Sequence, residues 1–334
     1  MSPPAPAGAP AAAAEPLTAY QPPWWLPGPH LQTIVPARLV SVPEVAYSRE
    51  RWDSPDGDFI DVDFLQPAPA AAAVPLLVMF HGLEGDSGSH YARILMDGCR
   101  RRGWRGLVVH FRGCSGAANR LPRAYHSGDS AEIDWILARV AARWPQAPRF
   151  AVGISLGGNA LAKWAGEQGA AAAAHLVAGA AVSAPFDLAA GGHALGKGFN
   201  RVYTAMFLRS LVPKALAKVA AFPGLADGAR IAASRTIREF DDAFTAPVHG
   251  FAGVLDYWQR ASAKRWLAGV ELPLLALNAR NDPFVPGASL PAEDAVSRHV
   301  TLDCPAQGGH VGFLARGGRW YFAERVFDFL QRHL

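Results

Sequence analysis

Short apolar runs recur along the chain and alternate with segments whose apolar residues follow helical spacing. The run at 75–80 is apolar throughout, which is typical of a strand buried on both faces, whereas residues 58–65 alternate between apolar and polar. The strands predicted in this way are 39–48, 58–65, 75–80, 107–111, 150–154, 176–183, 272–278 and 299–302. Helices are predicted at 91–102, at 129–144, from 159 onwards and at 321–330. This alternation predicts an α/β fold whose central sheet is mostly parallel, with helices on both faces.

The alternation breaks between residues 185 and 251, where the pattern predicts several helices and no clear strand. We therefore predict a single domain over residues 21–334, with a helical cap inserted at about 185–251. One predicted helical face of this insertion carries Phe199, Tyr203, Met206 and Phe207. Two interpretations of that face are open, because it could pack on the core or line a ligand cavity.

The beginning of the chain has a different composition. The first 16 residues are almost all alanine and proline, without the basic and leucine-rich regions of a signal peptide, and we predict a disordered arm at 1–20. The following segment contains two adjacent tryptophans, Trp24 and Trp25. We expect their large apolar rings to dock the segment onto the domain, and contact with substrate or a membrane is the alternative.

Composition and charge narrow the class of protein. Half of the 334 residues are hydrophobic, and the net charge is only +4, with basic residues too scattered for a nucleic-acid surface. The longest apolar stretch, 170–185, is too short and too interrupted to span a bilayer. Three cysteines at no metal-ligand spacing indicate reduced thiols in a cytoplasmic protein. No metal or organic cofactor is expected, and the oligomeric state is left open.

The segment 150–159 combines a predicted strand, a tight glycine-rich turn and the start of a predicted helix. Residues 153–157 (Gly-Ile-Ser-Leu-Gly) match G-x-S-x-G, the nucleophile elbow, in which a serine stands at the apex of the turn. The helix N-terminus behind this serine offers free N–H groups to developing negative charge. Ser155 is therefore the candidate nucleophile. An ordinary glycine-rich turn would match the same pattern, so the choice between the two interpretations depends on whether other residues supply a base and an acid.

A serine hydroxyl needs a base to take its proton, and a histidine base needs a carboxylate to hold its tautomer. In elbow proteins the chain order is serine, acid, histidine. Asp282 follows the predicted strand 272–278, and His310 follows the last predicted strand. Both fall at the carboxyl ends of strands, where open α/β sheets bind ligands. Order and position together favour a Ser155–Asp282–His310 triad over a turn aspartate and an unrelated loop histidine.

A second group of candidates surrounds the end of the strand 75–80. In elbow proteins the loop after this strand supplies one N–H of the oxyanion hole, and the residue after the nucleophile supplies the other. We assign these donors to the backbone N–H groups of Leu83 and Leu156. His81 ends the same strand, and its role is either substrate binding or structural.

Further motifs accompany these candidates. They are 28–33 (Gly-Pro-His-Leu-Gln-Thr), 81–85 (His-Gly-Leu-Glu-Gly), 112–116 (Arg-Gly-Cys-Ser-Gly), 125–128 (Tyr-His-Ser-Gly), 153–159 (Gly-Ile-Ser-Leu-Gly-Gly-Asn), 240–242 (Phe-Asp-Asp), 245–247 (Thr-Ala-Pro), 281–283 (Asn-Asp-Pro) and 309–313 (Gly-His-Val-Gly-Phe). From about Trp24 onwards the chain thereby resembles the α/β-hydrolase subfamily of the bacterial YheT-type esterases, the AB hydrolase 4 family. Yeast medium-chain ethyl ester synthase/esterases and animal abhydrolase-domain lipases belong to it too.

The resemblance implies an α/β-hydrolase fold, a triad at Ser155, Asp282 and His310, and ester substrates with apolar acyl chains. Asn281 departs from the family, which often has a second aspartate there, so Asp282 is the only carboxylate of this turn. The animal relatives carry a membrane anchor, which we do not transfer to this chain.

The resulting prediction is a serine hydrolase that acts on small-molecule carboxylic esters through an acyl-enzyme. Candidate substrate-binding residues are His81, Phe199, Tyr203, Met206 and Phe207. Three alternatives are open: an acyltransferase that passes the acyl group to an alcohol, a thioesterase or lipase with another leaving group, and a binding protein that has the fold without the chemistry. The roles of 125–128 and 240–242 are also open, between lining the site and locking loops.

Overall fold

One eight-stranded sheet forms the centre of the molecule. The computed structural model describes residues 19–334. The strands are β1 Ala46–Asp53, β2 Phe59–Gln66, β3 Leu76–Phe80, β4 Arg105–His110, β5 Arg149–Ile154, β6 Ala178–Val182, β7 Leu274–Leu277 and β8 Val300–Asp303. They lie in the order β1-β2-β4-β3-β5-β6-β7-β8. The pairs β1–β2 and β2–β4 are antiparallel and all other neighbours are parallel, so the carboxyl ends of β3 to β8 meet at one edge.

Helices cover both faces of this sheet. They are α1 Gly28–Arg38, α2 His90–Arg101, α3 Ser130–Arg143, α4 Leu156–Gln168, α5 Leu188–Leu195, α6 Asn200–Ala221, α7 Gly228–Ala233, α8 Ile237–Phe240, α9 Ala246–Val248, α10 Val254–Ala261 and α11 Tyr321–Gln331, with a π-helical turn at Asp241–Thr245. Ala151 of β5 packs in a layer with α3 and α4, whereas its neighbours Phe150 and Val152 pack with α2 and α11. This two-sided burial is the reason for the continuous apolar runs.

The segment between β6 and β7 is helical and contains α5 to α10. Its helices form a hydrophobic cluster separate from the two layers, and Leu83 of the loop after β3 packs against this cluster. The buried members include Leu208, Leu211, Ile231, Phe240 and Phe244. The segment therefore packs over the carboxyl edge of the sheet. Although α6 has 22 residues, no helix within residues 19–334 combines the length and the apolar character that crossing a bilayer requires.

The predicted arrangement of a mostly parallel sheet with helices on both faces is confirmed. Seven of the predicted strands overlap β2 to β8, and the helix predicted after Asp129 is α3. The Asp129 carboxylate caps this helix by accepting a hydrogen bond from the Glu132 N–H at 3.3 Å. The period of the apolar residues was thus a sufficient signal wherever strands were buried on both faces.

The N-terminal part differs from the prediction in its secondary structure. The strand predicted at 39–48 is correct only over its last three residues, because β1 begins at Ala46 and residues 39–45 are irregular; the segment before them forms α1, which was not predicted. Pro29 stands in the first turn of α1, where an N–H would have no partner within the helix, so this proline does not disturb it. A proline-rich segment therefore contains a helix that its composition does not suggest.

The anchoring of this segment also differs from the prediction. Trp24 is 86% exposed and Trp25 is 49% exposed, so the two tryptophans do not dock the segment. Leu26 and Tyr20 are buried instead, and the Tyr20 hydroxyl donates to the carbonyl oxygen of Leu314 at 3.1 Å. The arm predicted at 1–20 is therefore too long by at least Tyr20, and residues 1–18 lie outside the described residues.

Candidate active site

Ser155 stands between β5 and α4 in a strained backbone conformation. Its φ of 52° lies in the left-handed region, which residues other than glycine seldom adopt. A Cβ atom on Gly157 would lie 2.5 Å from the carbonyl oxygen of Phe80, so a side chain there would push α4 away from the sheet. Glycine at this position allows the close contact of strand and helix that places the Ser155 hydroxyl at the apex of the turn.

The three residues of the predicted triad come together in hydrogen-bonding geometry. His310 Nε2 lies 3.0 Å from Ser155 Oγ, and His310 Nδ1 lies 2.8 Å from Asp282 Oδ2. The Asp282 side chain is fully buried, and its Oδ1 accepts hydrogen bonds from the N–H groups of Phe284 and Val285. Because a carboxylate only accepts, Nδ1 carries the proton and Nε2 is left to accept from the serine hydroxyl.

Strand ends explain how residues so far apart in the sequence meet. Ser155 follows β5, Asp282 follows β7 and His310 follows β8, all at the carboxyl edge of the parallel strands. The ring of Phe284 packs on the His310 imidazole with 4.2 Å between centroids. This contact closes one side of the imidazole to water. The arrangement can support nucleophilic attack by a serine that passes its proton to a histidine.

Two backbone N–H groups flank Ser155 where the sequence predicts an oxyanion hole. Leu156 is the first residue of α4, so its N–H has no carbonyl partner within the helix. The turn after β3 passes close to the serine, since a Cβ on Gly82 would lie 3.2 Å from the Ser155 Cβ. Within residues 19–334, the Leu83 N–H of this turn has no acceptor. Both groups could therefore donate to an oxygen bound at Ser155.

Two tyrosine hydroxyls hold the turn on either side of Leu83. The Gly82 N–H donates to the Tyr91 hydroxyl at 3.1 Å, and the Glu84 N–H donates to the Tyr125 hydroxyl at 2.9 Å. Tyr125 in turn donates to the Glu84 carboxylate at 2.9 Å and stacks on Phe111. Glu84 has a φ of 56°, a conformation that needs such support. The sequence singled out 125–128 without a role, and the structure places Tyr125 behind the candidate oxyanion donor.

Replacing Tyr125 by phenylalanine is expected to impair catalysis more than binding. Without the hydroxyl, the Glu84 N–H loses its acceptor and the adjacent Leu83 N–H loses its fixed direction. We expect kcat for a p-nitrophenyl ester to fall about 10- to 100-fold, less than the ~10²–10³ seen when an oxyanion donor is removed outright. KM should change by less than about threefold, because this hydroxyl is already hydrogen-bonded to Glu84 and acts through the turn rather than on the substrate.

Tyr47→Phe is the matched control for that measurement. The Tyr47 hydroxyl donates to the carbonyl oxygen of Ser87 at 3.2 Å, later in the same loop, and not to residues 82–84. Its loss should leave kcat within about twofold of the wild-type value. An equal fall of kcat in both variants would mean that Tyr125 contributes only to stability.

A cavity of about 710 Å³ opens beside Ser155 and His310. Its volume falls in the range of sites that bury most of a small ligand. Apolar side chains from the body and from the helices between β6 and β7 form most of its wall. They include Leu83, Leu156, Leu188, Leu195, Phe207, Leu211, Ala215, Phe240, Phe244, Phe284 and Val285. The cavity therefore suits a ligand that is mainly apolar and reaches the serine with one polar group.

The charged groups on this wall are bound to protein partners. Glu84 pairs with Lys214 of α6 at 2.8 Å. Asp241, in the π-helical turn, accepts hydrogen bonds from the Thr245 hydroxyl at 2.7 Å and the Trp258 indole at 2.9 Å. Burial raises the pKa of Asp241 to about 6. Within residues 19–334, no three His, Cys, Asp or Glu side chains are grouped so that they could hold a metal ion.

Of the aromatic face predicted on α6, only Phe207 lies on the cavity wall. Phe199, Tyr203 and Met206 face α1 instead, so the structure does not support them as substrate-binding residues. The rings of Phe199 and His30 are 4.6 Å apart, the Tyr203 hydroxyl lies 3.1 Å from His30 Nδ1, and Arg38 donates to the Met206 sulfur at 3.2 Å. The apolar stripe is divided because a helical face is wide enough to meet two different neighbours.

His81 has a structural position rather than a place on the cavity wall. It is fully buried, and its Nε2 accepts a hydrogen bond from the Phe111 N–H at 3.0 Å. Its Nδ1 lies 2.7 Å from the carbonyl oxygen of Gly82, to which it donates. Burial lowers the pKa of His81 to about 3, so the ring is neutral. The prediction of a substrate-binding role is therefore wrong, and His81 ties the end of β3 to β4.

Sequence comparison identifies relatives over most of the chain. Residues 75–316 match the family described as alpha/beta hydrolase fold. YheT of Escherichia coli strain K12, provisionally named an esterase, is 38% identical over 312 residues, which cover 91% of each chain. Phospholipase ABHD3 of Mus musculus is 30% identical over 92% of this chain and 77% of its own. A monoacylglycerol lipase of Saccharomyces cerevisiae is 29% identical over 78% of this chain and 59% of its own.

Structure comparison agrees at the level of the fold. The esterase Pf2001 of Pyrococcus furiosus superimposes with a TM-score of 0.57 and 14% sequence identity, covering 87% of this chain and 97% of its own. At 14% identity, this structural likeness shows only that the two proteins share a fold. The match to the family model and the similarity to YheT show in addition that the chain is related to those proteins. The chain therefore belongs to the α/β-hydrolase fold family, in the subfamily that contains YheT.

Proposed function

We propose that this protein is a serine hydrolase that cleaves carboxylic esters with an apolar acyl chain. The observation that carries the proposal is the contact of Ser155 Oγ with His310 Nε2, at 3.0 Å, beside the two free N–H groups. Membership of a hydrolase family supports the reaction class. The assignment of Ser155, Asp282 and His310 as catalytic residues, and of Leu83 and Leu156 as oxyanion donors, is part of this proposal.

The proposed reaction has two halves. Ser155 attacks the ester carbonyl while His310 Nε2 takes the hydroxyl proton, and the oxyanion accepts hydrogen bonds from the Leu83 and Leu156 N–H groups. Collapse of this intermediate breaks the C–O bond, and His310 returns the proton to the leaving alcohol. Water then attacks the acyl-enzyme by the same route and releases the carboxylic acid. Asp282 stays ionised and holds the imidazole in the required tautomer.

The substrate class follows from the cavity wall. The helical segment between β6 and β7 supplies Phe207, Leu211 and Phe244, and we propose that it acts as a cap over the acyl chain. The ion pair of Glu84 with Lys214 ties this cap to the turn after β3. The names of the three relatives describe hydrolases: YheT provisionally as an esterase, the others as a phospholipase and a monoacylglycerol lipase.

The state of the cysteines is an indication of the cellular compartment of the protein. Cys99, Cys114 and Cys304 are all free, and the first two are buried. Burial raises the pKa of Cys114 to about 12, so its thiol is unreactive. Three unpaired thiols fit a reducing compartment, and this supports our proposal that the protein acts in the cytoplasm.

A fluorophosphonate probe tests the proposed nucleophile directly. The probe should label the wild-type protein covalently, and labelling should vanish in Ser155→Ala, because only an activated serine reacts at a useful rate. A panel of p-nitrophenyl esters of increasing chain length then measures acyl preference, and added ethanol reveals any transfer to an alcohol. A folded wild-type protein that takes up no label and cleaves no ester would contradict the proposal.

A further inference from the structure

Helix α1 lies outside the matched residues 75–316 but touches the loop that carries His310. This loop, residues 307–313, is called the histidine loop below. We propose that Gln32 and Thr33 of α1 are positioning residues, which hold the histidine loop so that His310 faces Ser155. The proposal rests on the proposed function, because it assigns these two residues a part in the same reaction.

Thr33 binds the backbone of the candidate base itself. Its hydroxyl accepts a hydrogen bond from the His310 N–H at 2.9 Å and donates to the carbonyl oxygen of Pro29, one turn earlier in α1, at 2.8 Å. The second bond aims the hydroxyl oxygen at His310. Thr33 is buried, so water cannot replace it as the acceptor.

Gln32 is fully buried and makes four hydrogen bonds. Its Oε1 accepts from the Gly308 N–H at 3.0 Å, and its Nε2 donates to the carbonyl oxygen of Leu26 at 3.0 Å. These two backbone partners fix the orientation of the amide, since an N–H requires an acceptor and a carbonyl requires a donor. Nε2 also donates to Gln307 Oε1 at 2.8 Å, so the amide joins α1 to two consecutive residues of the histidine loop.

Asn281 links this network to the acid of the triad. Its Nδ2 donates to Gln32 Oε1 at 2.9 Å, and its Oδ1 accepts from the Gly309 N–H at 3.1 Å. Asn281 directly precedes Asp282, so one set of amides holds both loops whose side chains meet at the imidazole. An aspartate at 281 would place an acceptor opposite Gln32 Oε1, which is itself an acceptor, and no hydrogen bond would form between them. The asparagine of this chain supplies the donor that this contact needs.

The histidine loop needs an external hold because its backbone is strained. Val311 has a φ of 56° and Phe313 a φ of 43°, conformations that non-glycine residues keep only when their surroundings impose them. Contact with α1 is also close, since a Cβ on Gly312 would overlap the carbonyl oxygen of Gln32. The position of His310 is therefore set by a helix that lies about 275 residues earlier in the chain.

A pair of substitutions at one position separates positioning from stability. Thr33→Val keeps the shape but removes the acceptor of the His310 N–H, and Thr33→Ser keeps the acceptor. We expect Thr33→Val to lower kcat for a p-nitrophenyl ester about 10- to 100-fold with KM within about threefold, since a displacement of ~1 Å can cost 10²-fold. Thr33→Ser should recover kcat to within about threefold of wild type.

Gln32→Met removes all four hydrogen bonds of the Gln32 amide. It should likewise lower kcat while KM changes little.

Amide hydrogen exchange gives a readout that does not depend on esterase activity. The His310 amide should be protected in the wild type and in Thr33→Ser, and should exchange at least ten times faster in Thr33→Val. Thr204→Val is the control, because Thr204 is a buried threonine whose hydroxyl donates to Leu195, outside this network. It should leave both kcat and the exchange of His310 unchanged.

The outcomes decide the proposal in each case. Wild-type kcat together with wild-type exchange in Thr33→Val would overturn it. A His310 amide that exchanges freely in the wild-type protein would also overturn it, even if the variants failed to fold. Absence of Ser155-dependent labelling in the wild type would refute the proposed function alone, because the exchange measurement would still show whether α1 holds the loop.

Discussion

Replacing Ser155 by alanine is expected to lower kcat for a p-nitrophenyl ester by at least ~10⁴-fold, with little change in KM. Alanine removes the hydroxyl that lies 3.0 Å from His310 Nε2, so the proposed acyl-enzyme cannot form. The fold should tolerate the change, because among the described residues the Ser155 Oγ hydrogen-bonds to His310 alone. Activity that survives at more than a few per cent would mean that another residue is the nucleophile.

His310→Ala and the double variant Ser155→Ala/His310→Ala extend this experiment, because they test whether the two residues act together. If Ser155 and His310 act as one unit, each single variant should lose about as much activity as the double variant. Losses that add in the double variant would indicate two independent contributions, and the proposed proton transfer between the two residues would be wrong. The residual rate, compared with that of the uncatalysed reaction, measures the acceleration that the cavity and the two free N–H groups provide without a nucleophile.

Replacing Asp282 by asparagine is expected to lower kcat by roughly 10³- to 10⁴-fold while the fold is retained. The amide oxygen can still accept from the Phe284 and Val285 N–H groups. Its NH₂ group then faces His310 Nδ1, which must become the acceptor. The proton moves to Nε2, and the ring can no longer accept from the Ser155 hydroxyl. Steady-state kinetics with a p-nitrophenyl ester measure the loss.

Asp63→Asn is the control for this substitution. Asp63 of β2 is a buried carboxylate that binds Arg49 of β1 and His110 of β4 and is not part of the cavity wall. Its neutralisation should reduce stability, because it leaves the Arg49 guanidinium without its counter-ion, but should keep kcat within about threefold. If both variants lost kcat equally, Asp282 would be a structural residue of its turn.

The sequence predicted those parts of the molecule that depend on local pattern. The run at 75–80 and the elbow at 153–157 are each readable within ten residues, because burial on both faces and a tight turn leave direct traces in composition. The positions of Asp282 and His310 were also predictable, since both lie in loops that follow predicted strands. The short distances between them depend on the order of strands in the sheet, which no local pattern contains.

What escaped prediction depends on contacts between distant segments. Nothing near Tyr125 shows that its hydroxyl lies 2.9 Å from the Glu84 N–H, and nothing near Gln32 shows that it binds Gly308. The face of α6 was recognised, but its division between α1 and the cavity depends on how the helix is rotated. His81 was ambiguous for the same reason, because a strand-end histidine fits either role until its partners are known.

The contact between α1 and the histidine loop also determines the order in which the molecule can be completed. Thr33 and His310 lie 277 residues apart, so a growing chain exposes α1 long before β7, β8 and the histidine loop have left the ribosome. Until then Gln32 and Thr33 have none of their distant partners. Closing so long a loop has an entropic cost that only the finished sheet offsets. The proposed triad can therefore form only after the histidine loop has been synthesised, and we expect an incomplete nascent chain to be inactive.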